Sequence, residues 1–375
     1  MKIKTFALER YFAKHEFSAR HLLSCSDCEA LSMQELLELA GEEEITLWKD
    51  LKLSYTESQG LPLLLDAVTD MYSGICRGNI LTAAPEECVF LFMNALLESG
   101  DHVICTFPGY QSLYELAKSI GCEISMWEPD EENGWQFDVR MLEKLFQNNT
   151  KLVVVNFPHN PTGSLPTKND YKAMVNLSKE ANVHLFSDEM YRFLEIADGV
   201  TLPSACELYE KAVSLSGLSK AFGLPGLRMG WVATRDLDLL DKMSGLKDYT
   251  TICSSAPSEI LALIAVRQRD RIIDRQRKRI HKNLAVLDVF FKKHEALFRW
   301  NHPGGGSICF PRILFTDHAG AFCDMLVKET GIMLVPSEMF NFGSRHVRIG
   351  FGRENLPEVL ERFEGYLEKK VGRGV

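Results

Sequence analysis

No apolar run in the 375 residues approaches the roughly eighteen that a helical membrane span needs. Positive charge is also in deficit. Lys and Arg number 42 against 51 Asp and Glu, a net charge of -9, which argues against general nucleic-acid affinity because that rests on clustered cations. The one basic run, RQRDRIIDRQRKRIHKN at 267–283, carries Ile272, Ile273 and Ile280 at helical spacing and reads as the solvated face of a helix. A disulfide framework is lacking as well. The ten cysteines are scattered singly apart from Cys25 and Cys28, with no signal-peptide pattern ahead of them, so free thiols in a reducing cytoplasm are expected. The CSDC pair has neither a second pair nor a histidine cluster at ligand spacing, and it is not read as a metal site. Internal repeats and low-complexity tracts are missing.

What is present is an ordinary globular composition, 46% hydrophobic and 25% charged, in a chain long enough for one large and one smaller domain. Short apolar runs at 102–107 (HVICTF), 152–157 (LVVVNF), 183–187 (VHLFS) and 212–216 (AVSLS) read as buried parallel strands. Helical patterns separate most of them, YQSLYELAKSIG, VRMLEKLFQNN and TKNDYKAMVNLSKEAN, which is the β-α alternation of an α/β sheet covered on both faces. Sites in such sheets gather at the carboxyl ends of the strands. Here those ends are FPGY, FPHNPTG, SDEMY and SGLSK. From Pro257 to Phe291 one long helical stretch follows, then short strands in HPGGGSICF, GIMLVPSEMF and HVRIGFG. The N-terminal fifty residues, with helical segments around Ser18 to Leu23 and Ser32 to Leu39, are expected to join that second part. The expected division is a large domain at 46–285 and a small α+β domain built from 1–45 and 286–375.

The segment SLSGLSKAFGLPGLRMGW, 214–231, sets Lys220 after an apolar strand and among Leu218, Phe222 and Leu224, where desolvation lowers a lysine's pKa and suits it to Schiff-base chemistry. The segment resembles the cofactor-lysine motif of the class I aminotransferases, fold-type I enzymes that use pyridoxal 5'-phosphate (PLP). The resemblance runs from about Leu53 to Gly352. It implies an α/β fold with a mostly parallel sheet between helices. It also implies that Lys220 holds the aldehyde of PLP and, once freed by an amino-acid substrate, moves the Cα proton, leaving a 2-oxo acid and pyridoxamine phosphate.

PLP asks a protein for a lysine, an acid at the pyridine nitrogen, donors at the phenolic oxygen, an anion cradle and a flat partner for the ring. By the resemblance, Asp188 in SDEMY is the acid, and Tyr191 with Asn160 in HNPTG are the donors. For the phosphate, the helix opening in TAAPEECVFLF offers free N–H groups and a positive dipole end. Relatives have small residues there and this chain has Pro85, Glu86 and Glu87. Only the backbone of Glu86 and Glu87 is therefore expected to serve, with both carboxylates pointing away. Ser219 and Arg228 complete the cradle, and Gly217 stands where many relatives have serine. Tyr110 stacks on the ring. Tyr55 in LSYTESQGLP reaches the phosphate of a neighbouring subunit, which makes the protein a homodimer. Arg348 in HVRIGFG clamps the substrate carboxylate, a task suited to a guanidinium fork, and Arg345 is the nearby surface charge.

The resemblance implies transfer of an amino group from an α-amino acid to a 2-oxo acid. The same residues also serve a lyase, a decarboxylase or a cyclase, because the ring stabilises the carbanion and other groups decide its fate. A PLP-sensing regulator with a fused DNA-binding module is a more remote reading, since the match begins within the first sixty residues and leaves no room for a winged helix. The N-terminal segment LLSCSDCEALS, 22–32, departs from the glycine-containing loop of relatives. SCSDCE, 24–29, is expected to close over the substrate, with Asp27 and Glu29 forming an acidic mouth for a polar or cationic side chain.

Overall fold

The structure, a computed structural model, describes residues 2–370. Its centre is a seven-stranded sheet of β1 Ile80–Ala83, β2 His102–Thr106, β3 Glu123–Trp127, β4 Thr150–Asn156, β5 His184–Asp188, β6 Ala212–Gly217 and β7 Gly230–Thr234, in the spatial order β1-β7-β6-β5-β4-β2-β3. All pairings are parallel except the two made by β7, which runs against both β6 and β1. The four strands expected from apolar runs are β2, β4, β5 and β6. The other three went unread. β3 is a half-covered edge strand with a polar start, β1 is four residues pressed against the following helix, and β7 begins in the last two residues of the segment 214–231 that holds Lys220.

Alternation along the strands decides which helices cover each face. Val103, Cys105, Leu152, Val154, Phe186 and Val213 point to one side, where α3 (Pro85–Leu96), α4 (Ser112–Ile120) and α6 (Leu237–Lys247) pack. Ile104, Val153, Val155, Leu185 and Ala212 point to the other, under α5 (Lys168–Glu180). This is the period of two expected of strands buried on both faces. Local signals set the helix ends. Pro85 occupies the first turn of α3, Thr167 caps α5 by accepting from the Asp170 amide at 3.1 Å, and Gly121 ends α4 with φ 107°.

A third core joins α2 (Pro62–Thr69), α7 (Ala256–Arg267), α8 (Arg269–Lys293), α9 (Ala319–Thr330) and α10 (Leu356–Lys370). The long helical stretch is thus two helices, broken at Gln268. The basic run lies on α8 as a solvated face: Ile272, Ile273 and Ile280 are buried while Arg275 and Arg277 pair with Glu35 and Asp198. A small antiparallel sheet of β8 (Ile308–Cys309), β9 (Val335–Pro336) and β10 (Val347–Gly350) has β10 in the middle. No helix among the described residues is long and apolar enough to cross a membrane.

The N-terminus departs from expectation. Helix α1 spans Ala7–His15, and the segment read as helical, 18–23, is instead a turn followed by a strand, His21–Leu22, paired in parallel with Ile332–Met333. From there the chain runs as a strap along β10. The Gly350 amide donates to Leu23 O at 2.9 Å and the Glu29 amide to Gly352 O at 3.0 Å. Glycine is required at 350, where a Cβ would lie 1.8 Å from Cys25 O.

Candidate active site

The carboxyl ends of β4, β5 and β6 open into a cavity of about 310 Å³, closed on its other side by α1 and the strap. Nine of the eleven residues expected from the sequence line it: Lys220, Asp188, Tyr191, Asn160, Tyr110, Ser219, Arg228, Glu86 and Arg348.

Register explains how the polar groups meet. Asn156 and Asp188 end adjacent strands as direct partners. The Asn156 amide nitrogen donates to Asp188 O at 3.0 Å, while its oxygen accepts from the Asn160 backbone N–H at 2.7 Å. One buried side chain thereby fixes the HNPTG turn against the end of β5. Asp188 accepts from the Met190 amide at 3.1 Å, yet no helix follows, so a capping role does not account for it. Burial lifts its carboxyl to about 6 against that hydrogen bond. His159, in the same turn, faces away. It is fully buried, bonds Thr162 at 2.8 Å and packs edge-on to Phe137.

Lys220 follows β6 by three residues, and its Nζ donates to Ser26 Oγ in the strap at 2.7 Å. Desolvation lowers its pKa, with the nearby Asp27 carboxylate opposing the shift. The turn after it is pinned by the same strap: the Leu31 amide donates to Gly223 O, and a Cβ at Gly223 would lie 2.4 Å from Glu29 O.

Arg348 reaches the cavity from β10 and is 1% exposed. Its Nη1 donates to Asn160 Oδ1 at 3.2 Å and Nη2 to Ser24 O at 3.0 Å, and its guanidinium lies 5.6 Å from the Phe12 ring centre and 5.5 Å from that of Phe340. Nε has no partner. Burying a guanidinium costs several kcal/mol unless it is paired, and no carboxylate pairs with this one among the described residues; burial pulls its pKa down. Arg345 pairs instead with Asp317 at the surface at 2.7 Å.

At the amino end of α3 the amides of Glu86 and Glu87 have no acceptor among the described residues. Gly217 and Gly230 face each other across β6 and β7, and a Cβ on Gly217 would lie 3.1 Å from the Pro85 ring. Glycine at 217 therefore lets the α3 terminus sit on the strand ends. Arg228 stands exposed at the rim with a left-handed backbone, φ 53°, and donates to Pro225 O at 3.0 Å. Ser219 Oγ is buried without a partner.

Two expectations need correction. The Glu86 side chain does not point away but lines the cavity, because the apolar packing of α3 against the sheet fixes that face inward, and burial raises its carboxyl to about 7. Glu87 does point away, accepting from Thr251 Oγ1 at 2.8 Å, and lies outside the cavity. Tyr55 is 85% exposed and also lies outside it. The acidic mouth is divided as well. Asp27 lines the cavity while bonded to Arg353 at 2.8 Å, whereas Glu29 turns outward to the Glu354 amide at 2.8 Å. Sequence reasoning missed Asn156, Ser26 and the Glu9, Phe12 and Glu16 face of α1. Asn156 alone left a signal, a polar residue within an apolar strand.

These groups fit PLP. Tyr191 Oη is buried without a partner in good hydrogen-bond geometry, although Ser26 approaches it, and the Asn160 amide nitrogen is free; both suit a phenolic oxygen. The α3 amides, Ser219 Oγ and Arg228 suit a phosphate. The Tyr110 ring suits the cofactor's face, its hydroxyl being held by Glu9 at 2.8 Å. Glu86 is compatible because a carboxyl near 7 is protonated in part at neutral pH and can then donate to a phosphate oxygen.

Comparison with known proteins agrees. The chain is similar to a PLP-dependent aminotransferase from Streptococcus suis, with a TM-score of 0.92 and 32% identity over 98% of this chain and 99% of that one. It is similar also to the PLP-dependent cyclase OrfR, with a TM-score of 0.89 and 26% identity over 99% and 98%. Capreomycidine synthase of Streptomyces vinaceus is 32% identical over 78% of this chain and 74% of its own length. The fold is the α/β arrangement of the fold-type I PLP enzymes. The profile described as aminotransferase class I and II matches residues 27–363, a span that holds Lys220, Asp188, Asn160, Tyr191 and Arg348, and the chain belongs to this family and is a PLP-dependent aminotransferase.

Proposed function

We propose that the cavity binds an α-amino acid and that Lys220, Asp188 and Arg348 carry the transfer of its amino group to a 2-oxo acid. The observation that carries this assignment is the buried Arg348 guanidinium, without a carboxylate partner among the described residues, in the same cavity as the desolvated Lys220 amine. PLP, when bound, supplies the electron sink for negative charge at the substrate Cα. Arg348 orients the substrate by its carboxylate, bidentately, because Nε has no competing partner. Lys220, with its pKa lowered by burial, has a neutral amine available to take the Cα proton, and Ser26 holds Nζ in place. Asp188 holds a proton at the pyridine nitrogen. Tyr191 and Asn160 donate at the phenolic oxygen, and Glu86, Glu87, Ser219 and Arg228 hold the phosphate.

The rest of the reading follows from these roles. A large unit at 46–285 carries the sheet, and a small one from 1–45 and 286–375 carries Arg348 and the strap; α8 runs through the second boundary. The exposed Tyr55 and Leu53 support a homodimer in which Tyr55 reaches the neighbouring cradle. Ten free cysteines support a cytoplasmic location. Borohydride reduction of the holoprotein followed by peptide mapping tests the assignment: label on Lys220 supports it, and label on any other lysine overturns it.

Cyclisation is the second reading, favoured by the likeness to a PLP-dependent cyclase over nearly the whole chain. Product analysis separates the two. A 2-oxo acid with pyridoxamine phosphate marks transfer, and a ring product with PLP regenerated marks cyclisation.

A further inference from the structure

Glu9 and Phe12 of helix α1 and Glu16, the residue that caps its carboxyl end with helical backbone angles, line the cavity at positions that share one helical face. With Asp27 of the strap they place three carboxylates around one part of its wall. Two are engaged: Glu9 accepts from Tyr110 Oη at 2.8 Å and Asp27 from Arg353 at 2.8 Å. Glu16 makes no hydrogen bond or ion pair through its side chain among the described residues. Burial raises its carboxyl pKa, Asp27 and Glu9 add to the rise, and Arg353 and Lys220 oppose it.

A second observation, separate from the acidic residues, points to a ligand with an anionic end. Arg348, 1% exposed, lines the cavity with no carboxylate partner, and its buried Nε has no hydrogen-bond partner among the described residues. Charge accounting then describes the other end. With PLP bound, Lys220 is taken by the aldehyde, Asp188 by the ring nitrogen and Arg228 by the phosphate. With Arg348 given to the substrate carboxylate, Glu9, Glu16 and Asp27 keep Arg353 as their neighbouring cation, an excess of negative charge in a partly desolvated space, where charges act more strongly than in water.

We propose that α1 forms the side-chain pocket of the substrate site and that Glu16 selects an amino acid with a cationic side chain, a guanidinium or an ammonium. This inference rests on the amino-acid substrate reading above. It moves the selecting residue from the strap to α1, since Glu29 lies outside the cavity.

The test is kcat/KM of the holoprotein for L-arginine, L-lysine, L-norleucine and L-glutamate, with the absorbance of bound PLP followed in parallel. Arginine or lysine should exceed norleucine and glutamate by about 10- to 100-fold, the range of a hydrogen bond to a charged group. Glu16→Gln should reduce the cation-to-norleucine ratio about tenfold, mostly through KM. Glu16→Arg should move the preference toward glutamate, and Glu29→Gln should leave the ratio where it was. Wild-type protein without a cationic preference, or a ratio that survives Glu16→Gln, overturns the inference. If no amino acid changes the PLP absorbance, the amino-acid reading itself fails, an outcome distinct from loss of selectivity alone.

Discussion

Lys220 Nζ donates to Ser26 Oγ at 2.7 Å, joining the amine at the end of the large sheet to a strap laid along β10. Ser26 is therefore a positioning residue for the amine. Its hydroxyl aims Nζ without entering the chemistry. Ser26→Ala should lower kcat about fivefold, the worth of one ordinary hydrogen bond of about 1 kcal/mol, with PLP content and KM near wild type. Ser26→Thr, which keeps the hydroxyl, should restore most of the loss. A kcat unchanged by the alanine substitution would remove the strap from the positioning of Lys220.

Asp188 carries a stability cost that the function requires. Its carboxyl is raised from 3.8 to about 6, chiefly by burial, so the folded apo-protein binds a proton more tightly than the unfolded chain does. The sign follows from linkage. The contribution of Asp188 to stability is most favourable below about 4, where both states are protonated, and falls as pH rises through about 6, above which the folded state must bury a charge. The shift corresponds to about 3 kcal/mol at most. Asp188→Asn in the apo-protein should therefore be more stable than wild type at pH 7.5, by about 1–3 kcal/mol in urea melts, and equal to it near pH 4. The same variant with PLP should lose turnover on the order of 100-fold or more, because an amide holds no proton at the ring nitrogen. Equal apo-protein stabilities at pH 7.5 would mean that Asp188 is better solvated than its burial indicates.

How much of this was legible in the sequence depends on the range over which each contact is made. Lys220, Asp188, Asn160 and Tyr191 lie within a few residues of strand ends, where local apolar runs and turn residues mark the place, and all four meet in the cavity. Ser26 meets Lys220 across 194 positions and Glu16 caps a helix that no strand signal touches, so neither could be joined to the site by spacing. Glu86 was misplaced for another reason. A carboxylate beside a phosphate site looks incompatible until burial is seen to keep it partly protonated. The strand Glu123–Trp127 escaped notice because an edge strand, covered on part of its length only, lacks a continuous apolar run.

Glu86 makes cofactor retention depend on pH. Burial raises its carboxyl to about 7, the neighbouring Glu9 and Asp188 carboxylates add to the rise, and Arg228 opposes it. The protonated form can donate to a phosphate oxygen and the ionised form repels it. PLP affinity should fall as pH rises through about 7, and Glu86→Gln should flatten that dependence and bind PLP more tightly at pH 8.5. Equilibrium dialysis at pH 6, 7 and 8.5 measures it. Parallel curves for the two proteins would show that Glu86 does not sense the phosphate.

Tyr55, like Glu87, is an expected site residue that a single chain leaves outside the cavity, and it is 85% exposed beside the similarly exposed Leu53. An exposed aromatic next to an exposed leucine suits an interface, where both would be covered by a second copy. If Tyr55 completes the neighbour's phosphate cradle, Tyr55→Phe weakens PLP retention in homodimers while leaving the chemistry at Lys220 intact. Mixing then separates contribution in cis from contribution in trans. In a mixed dimer of Tyr55→Phe and Lys220→Ala chains, a trans arrangement gives one site Lys220 from the first chain and Tyr55 from the second, with every group present. The other site lacks both. Refolded mixtures should therefore regain PLP retention toward half the wild-type value per dimer, measured by dialysis and absorbance. If the defects stay within their own chains and retention is only the average of the two parents, Tyr55 does not reach across, and its exposure belongs to some other surface.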